Sequence, residues 1–380
     1  MARAFCLQFS PEQDAALVAV SNWLKQGFPQ VFRLFGFAGT GKTTLARHLA
    51  EGVDGDVLFA AFTGKAALVL RSRGAKRART IHSLIYRPRG EELVEDDDTG
   101  KSNMTPLFSL NRQSPVADAA LIIIDDCSMV DEQLGSDLLS FGTPVLVLGD
   151  PGQLPPVSGG GFFTDHEPDV LLETIHRQAR DNPIIDLAAQ ARNGEPISYG
   201  TYGDSKVIRK AEVDQGEVLP ADQVLVGTNR TRRRYNQRLR DLKDFQGPLP
   251  ASGDKLVALR NDPTKGLLNG SLWTVKSAPQ TSKAFMNLLI TSEDDGMERQ
   301  SARIKVLKAA FEDPETEVPW QMKRRYDDFD YGYALTVHKS QGSQWDDVYL
   351  FDESYAFREH SQRWLYTAIQ RAAERITIVT

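Results

Sequence analysis

The sequence Gly-Phe-Ala-Gly-Thr-Gly-Lys-Thr occupies residues 36–43 and matches the complete G-x4-G-K-T pattern of a phosphate-binding loop. An apolar run typical of a strand precedes it at residues 31–35, and residues 44–50 have the composition of a helix. Glycines let such a loop curl until successive backbone N–H groups face one phosphate, and the positive end of the following helix adds attraction. This context distinguishes the motif from a chance glycine turn, so we predict a nucleoside triphosphate site.

The residue types in the loop indicate how a triphosphate would be held. Lys42 can reach the β- and γ-phosphates, and the hydroxyl of Thr43 can hold Mg²⁺. We expect further nucleotide contacts from Gly36, Gly39, Thr40, Gly41 and Thr44.

Two carboxylates end another apolar strand, because residues 122–126 read Ile-Ile-Ile-Asp-Asp. Asp125 is placed to hold Mg²⁺ through water, and Asp126 to accept a proton from the attacking water. A helix cap is the alternative interpretation for Asp126 alone. Residues 149–157, Gly-Asp-Pro-Gly-Gln-Leu-Pro-Pro-Val, follow the next strand, and Gln153 there can sense the γ-phosphate. A simple Pro-Gly turn is the alternative for that segment.

The composition excludes several classes of protein. A chain of 380 residues with net charge −6 is long enough for two or three domains and is not an indiscriminate polycation, although this charge does not exclude a local basic groove. Cys6 and Cys127 are too few and too distant for a disulfide framework or a metal cluster, and we expect Cys127 to be a core residue. Without a membrane-length apolar run or a signal peptide, the expectation is a soluble cytoplasmic protein with no membrane association.

The strand patterns divide the chain. Apolar strands alternate with helical segments from residue 31 to about 149, which favours a parallel sheet covered on both faces. Residues 87–118 interrupt this pattern with an acidic run and prolines, which predicts a solvent-exposed insertion. A second apolar series begins at residue 224, gives way to short alternating strands over 253–331, and returns at 347–351 and 375–379. A β-rich unit is therefore predicted inside a second α/β domain.

The order of motifs over nearly the whole chain resembles superfamily 1 helicases of the RecD-like, 5′→3′ branch (superfamily 1B), in particular compact phage and bacterial members. The matching segments are residues 9–13, 36–43, 63–67, 80–84, 122–126, 149–157, 172–178, 227–229, 334–342 and 366–372. Single segments are weak evidence, but ten in the same order are very specific.

This resemblance implies an α/β fold with two RecA-like parallel-sheet motor domains of the P-loop NTPase type. The first would span residues 1–178, with the insertion at about 87–118. The second would comprise residues 179–253 and 331–380, and a small SH3-like β-barrel would be inserted at 254–330.

The resemblance also implies roles for individual residues. Gln13 would read the adenine, Gly342 would contribute to nucleotide binding, and Arg177 and Arg371 would approach the γ-phosphate from the second domain. An exposed helical arginine is the alternative for Arg371. A single-strand groove would be lined by Thr63, Lys65, His82, Asn229, His338 and Lys339. Their hydroxyl, amide and cationic groups suit phosphates and sugars, although each alone could be a solvated surface residue.

The function implied is ATP-dependent translocation on single-stranded DNA, 5′→3′, with unwinding of duplex. ATP and Mg²⁺ would be the cofactors, tailed or forked duplexes the substrates, and replication or recombination proteins the partners of a monomer. One alternative is a nucleic-acid-stimulated ATPase that remodels without separating strands. Another is a nucleotide-gated DNA-binding subunit with weak turnover.

Two positions depart from the family pattern. Asp126 stands where Glu is usual and is one methylene shorter, and Gln370 stands where Thr is usual, next to Arg371. Both departures concern the rate of ATP hydrolysis rather than the fold or nucleotide binding.

Overall fold

The computed structural model describes residues 9–95, 102–155, 161–174, 182–262, 264–277, 279–294, 300–313 and 325–380, without the side chains of 88, 90–95 and 102–107. The described strands are β1 (Val31–Gly36), β2 (Val57–Ala61), β3 (Arg79–Thr80), β4 (Tyr86–Glu95), β5 (Ser102–Leu110), β6 (Leu121–Asp125), β7 (Val145–Gly149), β8 (Val170–Leu172), β9 (Gly200–Tyr202), β10 (Ser205–Ile208), β11 (Gln223–Val226), β12 (Lys255–Ala258), β13 (Leu272–Val275), β14 (Gln280–Thr281), β15 (Phe285–Ser292), β16 (Ser301–Leu307), β17 (Phe329–Tyr331), β18 (Ala334–Thr336), β19 (Trp345–Phe351) and β20 (Ala372–Val379). The described helices are α1 (Pro11–Gln26), α2 (Lys42–Glu51), α3 (Gly64–Ser72), α4 (Ile81–Ile85), α5 (Glu132–Leu139), α6 (Pro183–Asn193), α7 (Gln215–Val218), α8 (Asn229–Leu242), α9 (Ala309–Glu312) and α10 (Ser361–Ile369).

The first sheet is wholly parallel, with strand order β3-β2-β6-β7-β1-β8. Side chains of β6 alternate between two cores: Leu121 and Ile123 pack on the side of α1 and α2, and Ile122 and Ile124 on the side of α4 and α5. Burial on both faces explains why β6 and β7 are continuous apolar runs. This confirms the predicted parallel sheet, and it brings the carboxyl ends of β1, β6 and β7 to one edge.

The predicted insertion contains an antiparallel hairpin of β4 and β5, paired from Tyr86 to Leu110. The hairpin begins directly after α4, and a short 3-10 helix at Pro115–Asp118 leads the chain back to β6. The turn that joins the two strands lies outside the described residues.

A second six-stranded sheet has the order β18-β11-β19-β20-β10-β9 and is parallel apart from the edge strand β9. Leu225 packs towards α6 and α10, whereas Val224 and Val226 pack towards α8. The unit built on this sheet therefore repeats the two-faced architecture of the unit built on the first sheet. We call them the second and the first motor unit, after the two predicted motor domains. Among the described helices, none is long and apolar enough to cross a bilayer.

The β-rich unit forms an antiparallel sheet of order β14-β15-β13-β12-β17, with β16 added on β15. Alternate residues of β15 and β16 are buried, and Trp273 is fully buried in the hydrophobic core beneath this sheet. The last strand pairs Tyr331 with Leu256, so the sheet runs one residue past the predicted limit at 330.

A buried ion pair joins this sheet to α8. Arg240 Nε and Nη2 donate to the two carboxylate oxygens of Asp254 at 2.9 and 3.0 Å, and both side chains are fully buried. Arg240 also donates to the carbonyls of Gly247 and Leu249, and the Tyr333 hydroxyl donates to Asp254. Each charge is thus satisfied where the chain leaves the second motor domain for the sheet.

Arg240→Ala would leave Asp254 buried without its countercharge. We expect a loss of about 3–5 kcal/mol in local stability, seen by hydrogen exchange as faster exchange of β12 and β17. Arg238→Ala, an exposed position on the same helix, is the control and should change stability by less than about 0.5 kcal/mol. Equal exchange in the two variants would contradict a structural role for the pair.

Candidate nucleotide site and nucleic-acid groove

The phosphate loop joins the end of β1 to the start of α2 at the carboxyl edge of the first sheet. Gly39 and Gly41 have φ values of 78° and 81°, a left-handed conformation that glycine adopts without steric cost. Lys42 Nζ donates to the carbonyls of Gly36 and Phe37 at 2.6 and 3.0 Å. The ammonium group therefore lies over the loop, where the phosphate-loop motif predicts a phosphate contact.

Gln13 lies against this loop. Its side-chain oxygen accepts from Ser10 N, and the Ser10 hydroxyl accepts from Gln13 N, which forms the capping box that begins α1. Gln13 Nε2 donates to the carbonyl of Thr40 at 2.9 Å, and both residues are buried. The residue predicted to read the base is thus fixed to the backbone of the phosphate loop.

The two acidic residues at the end of β6 have different environments. Thr43 Oγ1 donates to Asp125 Oδ2 at 3.0 Å. Burial and the neighbouring Asp126 raise the pKa of Asp125, and the Thr43 hydrogen bond opposes this shift. Asp126 has φ 56° and accepts from the Ser128 hydroxyl at 3.1 Å. Asp tolerates this left-handed backbone better than most non-glycine residues do.

A cavity of about 340 Å³ separates the two motor units at this edge. The first unit lines it with residues that include Lys42, Thr43, Asp125, Asp126 and Gln153, and the second with Gly342, Ser343, Gln370 and Arg371. The structure thus brings most of the predicted nucleotide-site residues to one cavity. Arg177 lies outside the described residues.

Arg371 forms part of the cavity wall and is not an exposed helical arginine. Only 7% of it is exposed, and it donates to the carbonyls of Thr367 at 3.1 Å and Ser343 at 3.2 Å. Burial lowers the pKa of Arg371, an effect that the carboxylates of Asp126 and Asp150 oppose. Its guanidinium is therefore held at the cavity by carbonyls of its own domain.

Several contacts across the cleft involve residues that the sequence analysis did not single out. Tyr366 donates to Asp150 Oδ2 at 2.7 Å and accepts from Ala38 N at 3.2 Å. The guanidinium of Arg192 lies 3.6 Å from the ring centroid of Phe37. Asp150 and Tyr366 stand inside motifs that matched the family, which was the available signal, whereas the pairing of Arg192 with Phe37 has no signal in the sequence.

A second cavity of about 280 Å³ contains four of the six residues predicted to contact a single strand: Thr63, Lys65, His338 and Lys339. Asn269 and Gly270 of the antiparallel unit form part of its wall. Burial lowers the pKa of Lys339. Both motor units and the antiparallel unit therefore contribute to this groove.

The other two predicted contacts do not line this cavity. The ring of His82 packs 4.3 Å from the ring of Phe108 and 4.7 Å from that of Tyr86, measured between centroids, at the base of the β4–β5 hairpin. Asn229 begins α8, and its side-chain oxygen accepts from Arg232 at 3.2 Å.

Lys65 is held by the antiparallel unit. Its ammonium lies 2.9 Å from Asp294 Oδ1, with both side chains buried, and 4.7 Å from the ring centroid of Trp345. Burial lowers the pKa of Lys65, and the Asp294 carboxylate opposes this shift. Nothing in the sequence predicted Asp294 as its partner.

Comparison with known proteins places the chain among helicases. A family model described as "AAA domain" matches residues 8–213, and one described as "UvrD-like helicase C-terminal domain" matches residues 331–379. The ATP-dependent RecD2 DNA helicase of Deinococcus radiodurans is 28% identical over 374 residues, which cover 90% of this chain and 46% of that protein. The ATP-dependent DNA helicase Pif1 of Bdellovibrio bacteriovorus is 25% identical, with coverages of 90% and 82%.

Among solved structures, Bacteroides Pif1 bound to ssDNA shares the fold, with a TM-score of 0.57, 20% identity and coverage of 98% of this chain and 92% of that one. This chain spans less than half the length of the RecD2 relative. The AAA-domain match covers more than half of the chain, and the helicase C-terminal match covers the end of the second motor unit. The chain therefore belongs to the RecD-like branch of the superfamily 1 helicases.

Proposed function

We propose that this chain is an ATP-dependent DNA helicase that moves 5′→3′ along single-stranded DNA and unwinds duplex. The observation that carries the proposal is the cavity between the motor units, where Lys42, Asp125 and Asp126 of one unit face Arg371 of the other. A site divided in this way is completed or opened by movement of the two units, which couples hydrolysis to motion.

In the proposed site, the phosphate-loop backbone and Lys42 bind the β- and γ-phosphates, and Gln13 holds the adenine. Thr43 and Asp125 offer hydroxyl and carboxylate oxygens 3.0 Å apart, the donor type that Mg²⁺ prefers. Mg²⁺, when bound, neutralises charge on the phosphates. Asp126 accepts the proton of the attacking water, and Arg371 and Arg177 stabilise charge on the transferring phosphoryl group.

Single-stranded DNA is proposed to bind in the groove of Thr63, Lys65, His338 and Lys339, extended towards His82 and Asn229. These donors contact phosphate and sugar and leave the bases unread. Because Asp294 holds Lys65 in this structure, contact between Lys65 and a phosphate requires that ion pair to open.

We further propose that residues 254–331 form an SH3-like domain that closes one wall of the groove. The first motor domain would span residues 1–178, and the second would comprise residues 179–253 and 332–380. The change at residue 331 follows from the pairing of β17 with β12. The β4–β5 hairpin, which begins beside His82, is the candidate wedge for strand separation, and this favours unwinding over remodelling alone.

The function is tested by strand displacement on two duplexes that differ only in whether the single-stranded tail is 5′ or 3′. With ATP and Mg²⁺, the 5′-tailed duplex should be opened and the 3′-tailed duplex should not. Lys42→Ala, which removes the phosphate-binding cation, should open neither while still binding single strands.

The alternatives give different results in the same assay. ATP hydrolysis stimulated by single strands without displacement would indicate a remodelling ATPase. Strand binding without stimulated hydrolysis would indicate a nucleotide-gated binding subunit. Opening of the 3′-tailed duplex would contradict the proposed 5′→3′ polarity, although it would still support a helicase function.

Position 126 gives a second test of the site. Asp126→Asn removes the proton acceptor and should lower strand-stimulated turnover by about 10²-fold or more, with nucleotide binding retained. Asp126→Glu restores the side-chain length usual in the family and should raise turnover, although the left-handed backbone at this position suits Glu less well than Asp.

The matched control for position 126 is Asp118→Asn, an exposed carboxylate of the same domain, which should leave ATP turnover unchanged. The measurement is the steady-state rate of ATP hydrolysis at saturating single-stranded DNA, for wild type, the two Asp126 variants and the Asp118→Asn control. If the Asp126→Asn variant turns over as fast as wild type, Asp126 is not the base.

A further inference from the structure

We propose that Gln370 is a positioning residue for ATP hydrolysis. Its side chain fixes the amide of Gln153 across the cleft, so that Gln153 Oε1 holds the attacking water. The proposal rests on the proposed ATPase function and adds a residue and a mechanism to it. It also gives a reason for the departure of this chain from its family at position 370.

The geometry is a chain of hydrogen bonds between the two motor units. Gln370 Nε2 donates to Asp150 Oδ2 at 3.0 Å, and Gln370 Oε1 accepts from Gln153 Nε2 at 2.9 Å. Gln153 Oε1 is buried and has no hydrogen-bond partner within the described part of the chain. Gln153 and Gln370 both line the 340 Å³ cavity, so this acceptor belongs to a side chain of the nucleotide-site wall.

The donor and acceptor chemistry of the partners determines whether each glutamine turns its NH₂ group or its oxygen towards them. A carboxylate can only accept hydrogen bonds, and Asp150 already accepts from Tyr366 at 2.7 Å and from Gly152 N at 3.0 Å. Gln370 must therefore turn its NH₂ group towards Asp150, which leaves its oxygen for Gln153. Gln153 must then donate with its own NH₂ group, and its oxygen remains for a ligand.

The ligand that fits is the attacking water. During hydrolysis the water oxygen forms a bond to the γ-phosphorus. The bond between the γ-phosphorus and the bridging oxygen breaks, and that oxygen leaves as part of ADP. One water proton passes to Asp126, while Gln153 Oε1 accepts a hydrogen bond from the other O–H. Gln153 takes no proton itself, so the products are ADP, phosphate and one proton.

The two departures from the family pattern then compensate for each other. Asp126 is one methylene shorter than the usual Glu and holds the water less closely. A Thr at position 370 has a single hydroxyl oxygen on a short side chain with which to donate to Asp150 and accept from Gln153, whereas the longer amide of Gln370 meets them with two separate atoms, Nε2 and Oε1. The water thus gains a second, oriented acceptor only when the second motor unit is docked.

The test is a double-mutant cycle on steady-state ATP hydrolysis with saturating single-stranded DNA. Gln153→Ala should lower kcat by about 10²-fold, and Gln370→Ala by about 10-fold, as for a residue that orients another. Because Gln370 acts through Gln153, the double variant should be no slower than Gln153→Ala alone. ATP affinity, measured with a fluorescent analogue, should stay within about twofold in all three, since the change affects only the water.

A reversal of the hydrogen bonds gives a second readout. Gln370→Glu cannot donate to Asp150 and should lower kcat. In the Asp150→Asn and Gln370→Glu double variant the new amide nitrogen takes the place of Asp150 Oδ2, which accepts from both Tyr366 and Gln370, and its two hydrogens go to the new carboxylate and to the Tyr366 hydroxyl oxygen. That carboxylate still accepts from Gln153, so kcat should recover above that of Gln370→Glu alone. Gln362→Ala changes an exposed glutamine on α10, the helix that ends just before Gln370; it is the control and should match wild type.

The possible results separate this inference from the proposed function. Two results would overturn the positioning role and leave the proposed ATPase function intact. One is a double variant of Gln153 and Gln370 in which the two losses of kcat multiply, and the other is a Gln370→Ala protein with wild-type kcat. A wild-type protein that hydrolyses ATP no faster than Lys42→Ala would remove the proposed function, and the positioning role with it.

Discussion

The buried carboxylate of Asp150 holds the two motor units together at the nucleotide site. It belongs to the first unit, yet two of its hydrogen-bond donors, Tyr366 and Gln370, come from the second. Only 5% of Asp150 is exposed, and a charge so buried is destabilising unless such partners satisfy it. The closed arrangement of the cleft therefore depends on donors that the second unit supplies.

This constraint has consequences on both sides of the cleft. The Tyr366 hydroxyl that donates to Asp150 also accepts from Ala38 N, so the phosphate loop is connected to the same network. Arg371 follows Gln370 directly and lies in the same cavity wall. A shift of the second unit away from Asp150 would withdraw Arg371 together with Gln370, the hydrogen-bond partner of Gln153. We infer that this link converts the state of the nucleotide into relative motion of the units.

Much of this arrangement could be predicted from local sequence. The apolar runs at β6 and β7 have one interpretation, a strand buried on both faces, and the spacing of the phosphate loop fixes its place between β1 and α2. Asp125 and Thr43 were both assigned to one metal ion from residue type and motif, and the structure brings them within hydrogen-bond distance. Such features depend on the period and order of residues, which a sequence displays directly.

Other contacts could not be predicted, because they depend on how separate units dock. Lys65 was expected to face DNA, but which carboxylate would pair with it depends on where the antiparallel sheet lies, and no pattern around Asp294 indicates that. The sequence marks Gln370 only as a departure from the family pattern, because its hydrogen-bond partners lie far away in the chain. Periodicity identifies the buried face of an element and leaves its distant polar partners undetermined.

The central claim is that catalysis occurs between the two motor units, with Arg371 of the second acting on a nucleotide bound by the first. Single-turnover ATP hydrolysis by Arg371→Ala tests it most directly, with Arg375→Ala, a half-exposed arginine in the next strand, as control. The account predicts a fall of about 10³-fold in the hydrolysis rate for Arg371→Ala, a far smaller change in ATP affinity, and a wild-type rate for the control. A saturated Arg371→Ala protein that hydrolyses ATP at the wild-type rate would contradict it.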